Sequence, residues 1–132
     1  MVENDIEKLL DKAWSLHKLK KYKEAIVCYD KALKLDPKDS EVWYNKGHSL
    51  HMLKKYKEAI VYFEKALKLN PKAIGVWYHK AYTISVIVDS KKKSKYTYKD
   101  AVKCYEKALK LDPKNVEGWI FKANALSNLN KC

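Results

Sequence analysis

The chain contains no arginine and no glutamine, so all 28 of its Lys/Arg positions are lysine. Arginine supplies the planar fork that reads phosphate and guanine bidentately, whereas lysine is a mobile point charge. Sequence-specific nucleic-acid reading is therefore disfavoured, although a formal net charge of +12 suits an anionic partner. A lysine-rich, glutamine-free composition is better explained by a heat-adapted protein or an AT-rich genome. Glycine and proline number three each, which leaves no flexible linker and no glycine-rich phosphate loop. No apolar run approaches the ~20 residues that span a bilayer, so no membrane segment is expected. The opening Met1-Val2-Glu3-Asn4-Asp5 does not read as a signal peptide. A soluble, cytoplasmic protein is the expectation. Also missing are a serine elbow, an H-E-x-x-H helix motif and any dispersed Asp/Glu/His set that converges on one pocket. The reading is not an enzyme, with no cofactor and no metal.

What is present is repetition. Tyr-x-x-Ala-x-x-x-[Tyr/Phe]-x-x-Ala-Leu-x-Leu-x-Pro occurs at Tyr22/Ala25/Tyr29/Ala32/Pro37, Tyr56/Ala59/Phe63/Ala66/Pro71 and Tyr98/Ala101/Tyr105/Ala108/Pro113. The first two prolines are 34 residues apart, a period of helical repeat proteins. Each copy reads as two helices. Trp43/Gly47/Leu50, Trp77/Ala81/Ile84 and Trp119/Ala123/Leu126 form one stripe on the first helix, and Leu9/Ala13/Leu16 is its opening version. The Ala/aromatic/Ala set forms the facing stripe on the second, where small residues opposite bulky rings let two helices interlock. Prolines end each second helix, because helices rarely continue across the residue before proline. Asp39 or Ser40 can cap the helix that follows. Cys28 and Cys104 share one slot of the second helix, two repeats apart and beyond the ~7 Å reach of a disulfide; both read as packing residues. Cys132 reads as a free thiol.

This pattern resembles the tetratricopeptide repeat (TPR) family, with Trp43, Gly47, Leu50, Tyr56, Ala59, Phe63, Ala66 and Pro71 all in phase. The resemblance implies an all-α fold, an α-α superhelix of stacked antiparallel helix pairs with a concave groove. About three and a half TPR units, or seven helices, are expected in a single domain over 1–132. Their bounds are 6–39, 40–73, 74–115 with an insertion at about 89–97, and a half-repeat at 116–132. The chain departs from the pattern at Leu9, which replaces the tryptophan, and in the third copy, where Pro71 and Pro113 are 42 residues apart.

In the family the first helices line the groove, and turning about 100° from the buried stripe locates that lining. It contains Trp14, His17, Tyr44, His48, His51, Tyr78, Tyr82, Glu117 and Asn124, a Tyr- and His-rich surface suited to apolar peptide side chains. The implied function is a non-enzymatic protein–protein interaction module that binds a peptide or helix. One TPR variant grips C-terminal carboxylates of chaperones. Its set is incomplete here: Leu10, Trp14, Gly75 and His79 occupy four of its five slots, and only Asn45 matches. His17, His48 and His51 lack the further ligands that a closed zinc site needs.

The alternative function is an RNA- or polyanion-binding adaptor. Lys20, Lys21, Lys54, Lys55, Lys91, Lys92, Lys93 and Lys95 fall at the turns inside helix pairs and read as a basic edge, or simply as a solvated one. Asp30/Lys34, Glu64/Lys68 and Glu106/Lys110 are i,i+4 pairs in the favoured order. Lys12, Lys46, Lys80 and Lys122 occupy one slot of every first helix, where their stems can cover apolar surface while the ammonium heads are expected to stay wet. Trp119, Ala123 and Leu126 keep an apolar stripe on the last helix, pointing to a homodimer or a partner helix.

Overall fold

The computed structural model describes residues 2–90 and 94–130. It contains seven helices and, among the described residues, no strand. The chain divides into two compact units, Met1–Pro71 and Lys72–Cys132.

The first unit holds α1 (Val2–Lys18), α2 (Tyr22–Leu35), α3 (Ser40–Met52) and α4 (Tyr56–Leu69). Each helix packs on the next. Ala13, Ala25, Cys28, Tyr29, Ala32, Leu33 and Val42 form one core, with Leu9, Leu10, Leu16 and Trp43 packed against it. Leu10 thus serves packing. Ala59, Ile60, Phe63, Ala66 and Leu67 are the buried stripe of α4. Gly47 is required for the α3–α4 approach: a Cβ there would lie 2.8 Å from Phe63 Cε1 and 3.2 Å from the Ala59 carbonyl.

The turns explain the helix boundaries. Lys20 and Lys54 adopt left-handed backbone, with φ of 61° and 65°. Lys21 N–H bonds Leu16 C=O at 2.8 Å and Lys55 N–H bonds Leu50 C=O at 2.9 Å. This is the Schellman closure of a helix, with lysine where glycine is the usual choice. Asp39 caps α3 by accepting from Glu41 N–H at 3.1 Å. The Trp43 indole donates to Pro37 C=O at 2.8 Å, fixing the interrepeat turn to the helix it precedes.

The second unit holds α5 (Ile74–Asp89), α6 (Tyr98–Leu111) and α7 (Val116–Asn130), packed as α5 on α6 and α6 on α7. α5 has 16 residues against 13 in α3, so part of the extra length extends a helix. The ends of the inserted segment are secured: the Tyr98 hydroxyl donates to the Asp89 carboxylate. Thr97 and Asp100 form a capping box, Asp100 Oδ2 accepting from Thr97 N–H at 2.9 Å. The same turn is therefore closed by left-handed lysine in the first unit and by a capped helix start in the second. Lys91, Lys92, Lys93 and Cys132 lie outside the described residues. Cys28 and Cys104 are both buried.

Candidate functional site

In the first unit the aromatic face of α1 and α3 is packed on itself. Trp14 stacks on His17 at 5.8 Å, and His17 meets Tyr22 edge-on at 5.2 Å and His48 at 5.1 Å. Tyr44 sits 6.3 Å from His48 and 5.9 Å from Phe63, and His51 meets Tyr56 at 5.0 Å. Lys18 Nζ covers the Trp14 ring at 5.3 Å. Burial raises the Tyr44 pKa above the ordinary phenol value. Trp14, His17, His48 and Tyr44 are thereby brought into one run of rings, and His51 and Tyr56 form a further pair. Among the described residues no three His, Cys, Asp or Glu side chains gather as a metal site.

The second unit differs. Gly75, Tyr78, His79 and Tyr82 of α5 face Asn115, Glu117, Gly118 and Phe121 across a cavity of about 290 Å³. Two glycines shape its walls. Gly75 has open space where a Cβ would stand, since nothing lies within 4 Å of that point. Gly118 occupies the slot that Val42 and Val76 fill with buried side chains in the preceding first helices. A Cβ at Gly118 would collide with the Tyr78 hydroxyl and come within 2.9 Å of Leu109 Cδ2. Tyr78 therefore reaches the backbone of α7.

The walls are held from behind. Phe121 stacks on Tyr105 at 5.9 Å with 15° between planes, and Tyr78 lies 6.2 Å from Tyr105. Burial is the main cause that pushes the Tyr105 phenol up to about 12. The Tyr78 phenol is also raised, by burial first and by the Asp112 carboxylate second. Its hydroxyl oxygen is buried without a hydrogen-bond partner. His79 donates from Nδ1 to Gly75 C=O at 2.8 Å, which fixes its ring on α5. Asn115 caps α7, accepting from Gly118 N–H at 3.0 Å.

Of the expected groove residues in this unit, Tyr78, Tyr82 and Glu117 line the cavity, while Asn124 lies exposed on α7 and does not. Gly75, His79, Asn115, Gly118 and Phe121 were not expected in the lining. Glycine at 118, where the preceding first helices have Val42 and Val76, was a sequence signal for Gly118 itself.

The lysines divide into two groups. Lys20, Lys21, Lys54, Lys55 and Lys95 are exposed at turns. Lys46 instead crosses to Asp30 at 2.5 Å and lies 4.2 Å over the Tyr62 ring. Burial pulls its pKa down, but hydrogen bonds and charge from Asp30 and Tyr62 outweigh this and leave it raised. Lys122 reaches Glu106 at 3.6 Å while covering Trp119 at 5.3 Å. These heads are partly sheltered by the neighbouring helix, contrary to the expectation that they stay wet. Asp30 and Glu106 look across to the next helix because an interhelical lysine also packs its stem.

Family models match in three places: tetratricopeptide repeat at 40–73, TPR repeat at 15–54 and tetratricopeptide repeat at 97–115. The chain belongs to the tetratricopeptide repeat family. Solved TPR structures have the same fold. The first TPR of Spaghetti (RPAP3), bound to HSP90 peptide SRMEEVD, matches with a TM-score of 0.85 at 24% identity, over 96% of this chain and 94% of that one. The Arabidopsis OM64 TPR domain matches with a TM-score of 0.85 at 19% identity, over 97% and 99%. MamA matches with a TM-score of 0.85 at 20% identity, over 97% and 70%. No curated protein matches the chain. TPR domains are in general non-enzymatic scaffolds for protein–protein interaction. No described helix is long and apolar enough to cross a membrane.

Proposed function

We propose that this TPR chain binds a partner peptide or helix along its first-helix faces, with the cavity of the second unit receiving one anchor side chain. The observation that carries this reading is the cavity of about 290 Å³ walled by Tyr78, Tyr82 and Phe121. Concave apolar sites with a few placed polar groups are the usual form of a binding pocket. The HSP90 peptide held by the Spaghetti domain is not carried over. Leu10 packs against a core, Trp14 is stacked on His17, and Gly75 and His79 wall a cavity where a carboxylate clamp would require cations.

Selection of peptides from a displayed library, followed by calorimetry, tests the reading. Gly75→Leu fills the cavity from a position with free space, and should weaken a selected peptide at least tenfold while leaving helicity intact. Undiminished affinity in the folded variant would move the site elsewhere. Nuclease treatment and added salt should change affinity little, whereas multiple phosphate contacts by the lysine edge would make it fall steeply with salt.

A second reading concerns α7. Trp119 is 48% exposed, Leu126 is 38% exposed, and Ala123 is exposed between them. A second copy of the chain covers this stripe in solution. Sedimentation over a concentration series, beside Trp119→Ser/Leu126→Ser, tests it; a wild type that stays monomeric at high concentration would exclude it.

A further inference from the structure

The chemistry of the cavity selects among anchor side chains. Tyr78, Tyr82 and Phe121 give it aromatic walls, and Glu117 is the one carboxylate among the described residues of its lining. Lysine accounts for all 28 Lys/Arg positions of the chain, yet none of the eight lining residues is a lysine. Glu117 forms no ion pair among the described residues, and it stands exposed in the first turn of α7. Aromatic faces attract cations through the ring quadrupole, most strongly when the site is partly desolvated. A planar guanidinium both stacks on such faces and forks to a carboxylate, which an ammonium does less well.

From this charge complementarity, and resting on the peptide-binding reading above, we infer that the cavity is an arginine pocket: it takes the guanidinium side chain of a partner peptide between its aromatic walls, with Glu117 as counter-ion. The chain itself has no arginine. A pocket that prefers guanidinium over ammonium therefore favours a partner over the lysines of other copies.

The test uses the full chain labelled with ¹⁵N, whose three glycines report separately. Gly75 and Gly118 line the cavity, while Gly47 lies in the first unit and serves as control. N-acetyl-arginine amide should shift the Gly75 and Gly118 amides and leave Gly47 still, saturating in the roughly millimolar range of a small single-site probe. N-acetyl-lysine amide should bind several-fold more weakly, and the leucine and glutamate analogues should produce no saturable shift. Glu117→Gln, an exposed and conservative change, should weaken the arginine probe about tenfold; Gly75→Leu should abolish its binding. A leucine probe that binds as well as arginine, or an undiminished arginine affinity in Glu117→Gln, would overturn the assignment. Suppose the arginine probe binds as expected but Gly75→Leu leaves selected peptides unaffected: the arginine pocket then stands and the peptide-groove reading falls. If Gly75→Leu blocks selected peptides whose anchor is apolar, the groove stands and the arginine assignment falls.

Discussion

The two units use the same first-helix slots for opposite ends. In the first, Trp14, His17, Tyr44 and His48 lean on one another in a continuous run of rings. In the second, Tyr78 and Tyr82 stand apart from Phe121 across a cavity. The difference lies in two positions. Where α3 has Glu41, α5 has Gly75; where α3 and α5 have Val42 and Val76, α7 has Gly118. Repetition builds the scaffold, and departures from it build the site.

Removing the second departure should give the largest effect. Gly118→Val forces a side chain into Tyr78 and Leu109, and overpacking of a fitted interface typically costs about 1–3 kcal/mol. Chemical denaturation should show a loss at the upper end of that range. Adding Tyr78→Ala should recover part of it, because the valine then has room. Equal stability of wild type and Gly118→Val would mean that Tyr78 does not rest on α7.

High pH gives the next effect. A phenol whose folded pKa is raised stabilises the fold fully below its unfolded value of about 10, and that contribution disappears as pH climbs through the folded value. For Tyr105 the folded value is about 12. Phenolate absorbance should thus show a late-titrating tyrosine, with helicity falling between about pH 10 and 12. Tyr105→Phe should lose that late absorbance step.

Smaller effects follow from the unpaired hydroxyl and the strained turns. Tyr78→Phe removes a buried oxygen that has no partner, and should raise stability by about 1 kcal/mol in a denaturation series. Lys54→Gly relieves a left-handed residue and should add about 0.5–1 kcal/mol. The turn before α6 begins instead with the Thr97 capping box, so Thr97→Ala should cost about 1 kcal/mol there.

The fold was legible because its determinants are local and repeated. The stripes Ala25/Tyr29/Ala32, Ala59/Phe63/Ala66 and Ala101/Tyr105/Ala108 are all buried, as their spacing dictates. Gly47 could be placed against a second helix because a close approach requires it. The lining of the candidate cavity was legible in part: Tyr78, Tyr82 and Glu117 lie on the face the helical wheel gives. A wheel treats one helix at a time, so it passed over Phe121, which stacks on Tyr105 of α6. The Lys46–Asp30 pair was hidden for the same reason, since i,i+4 counting sees only partners on the same helix. The Thr97/Asp100 cap was not read from the sequence, although the two stand three residues apart ahead of an apolar stripe.

The account's central claim is that the second unit's cavity, and not the first unit's filled aromatic face, receives the anchor. Gly75→Leu and Glu41→Leu place one side chain at equivalent positions of α5 and α3. Calorimetric affinities for a selected peptide, measured on both variants and the wild type, compare the two faces directly. The account predicts at least a tenfold loss for Gly75→Leu and little change for Glu41→Leu. Equal losses in both variants, or a loss confined to Glu41→Leu, would contradict it.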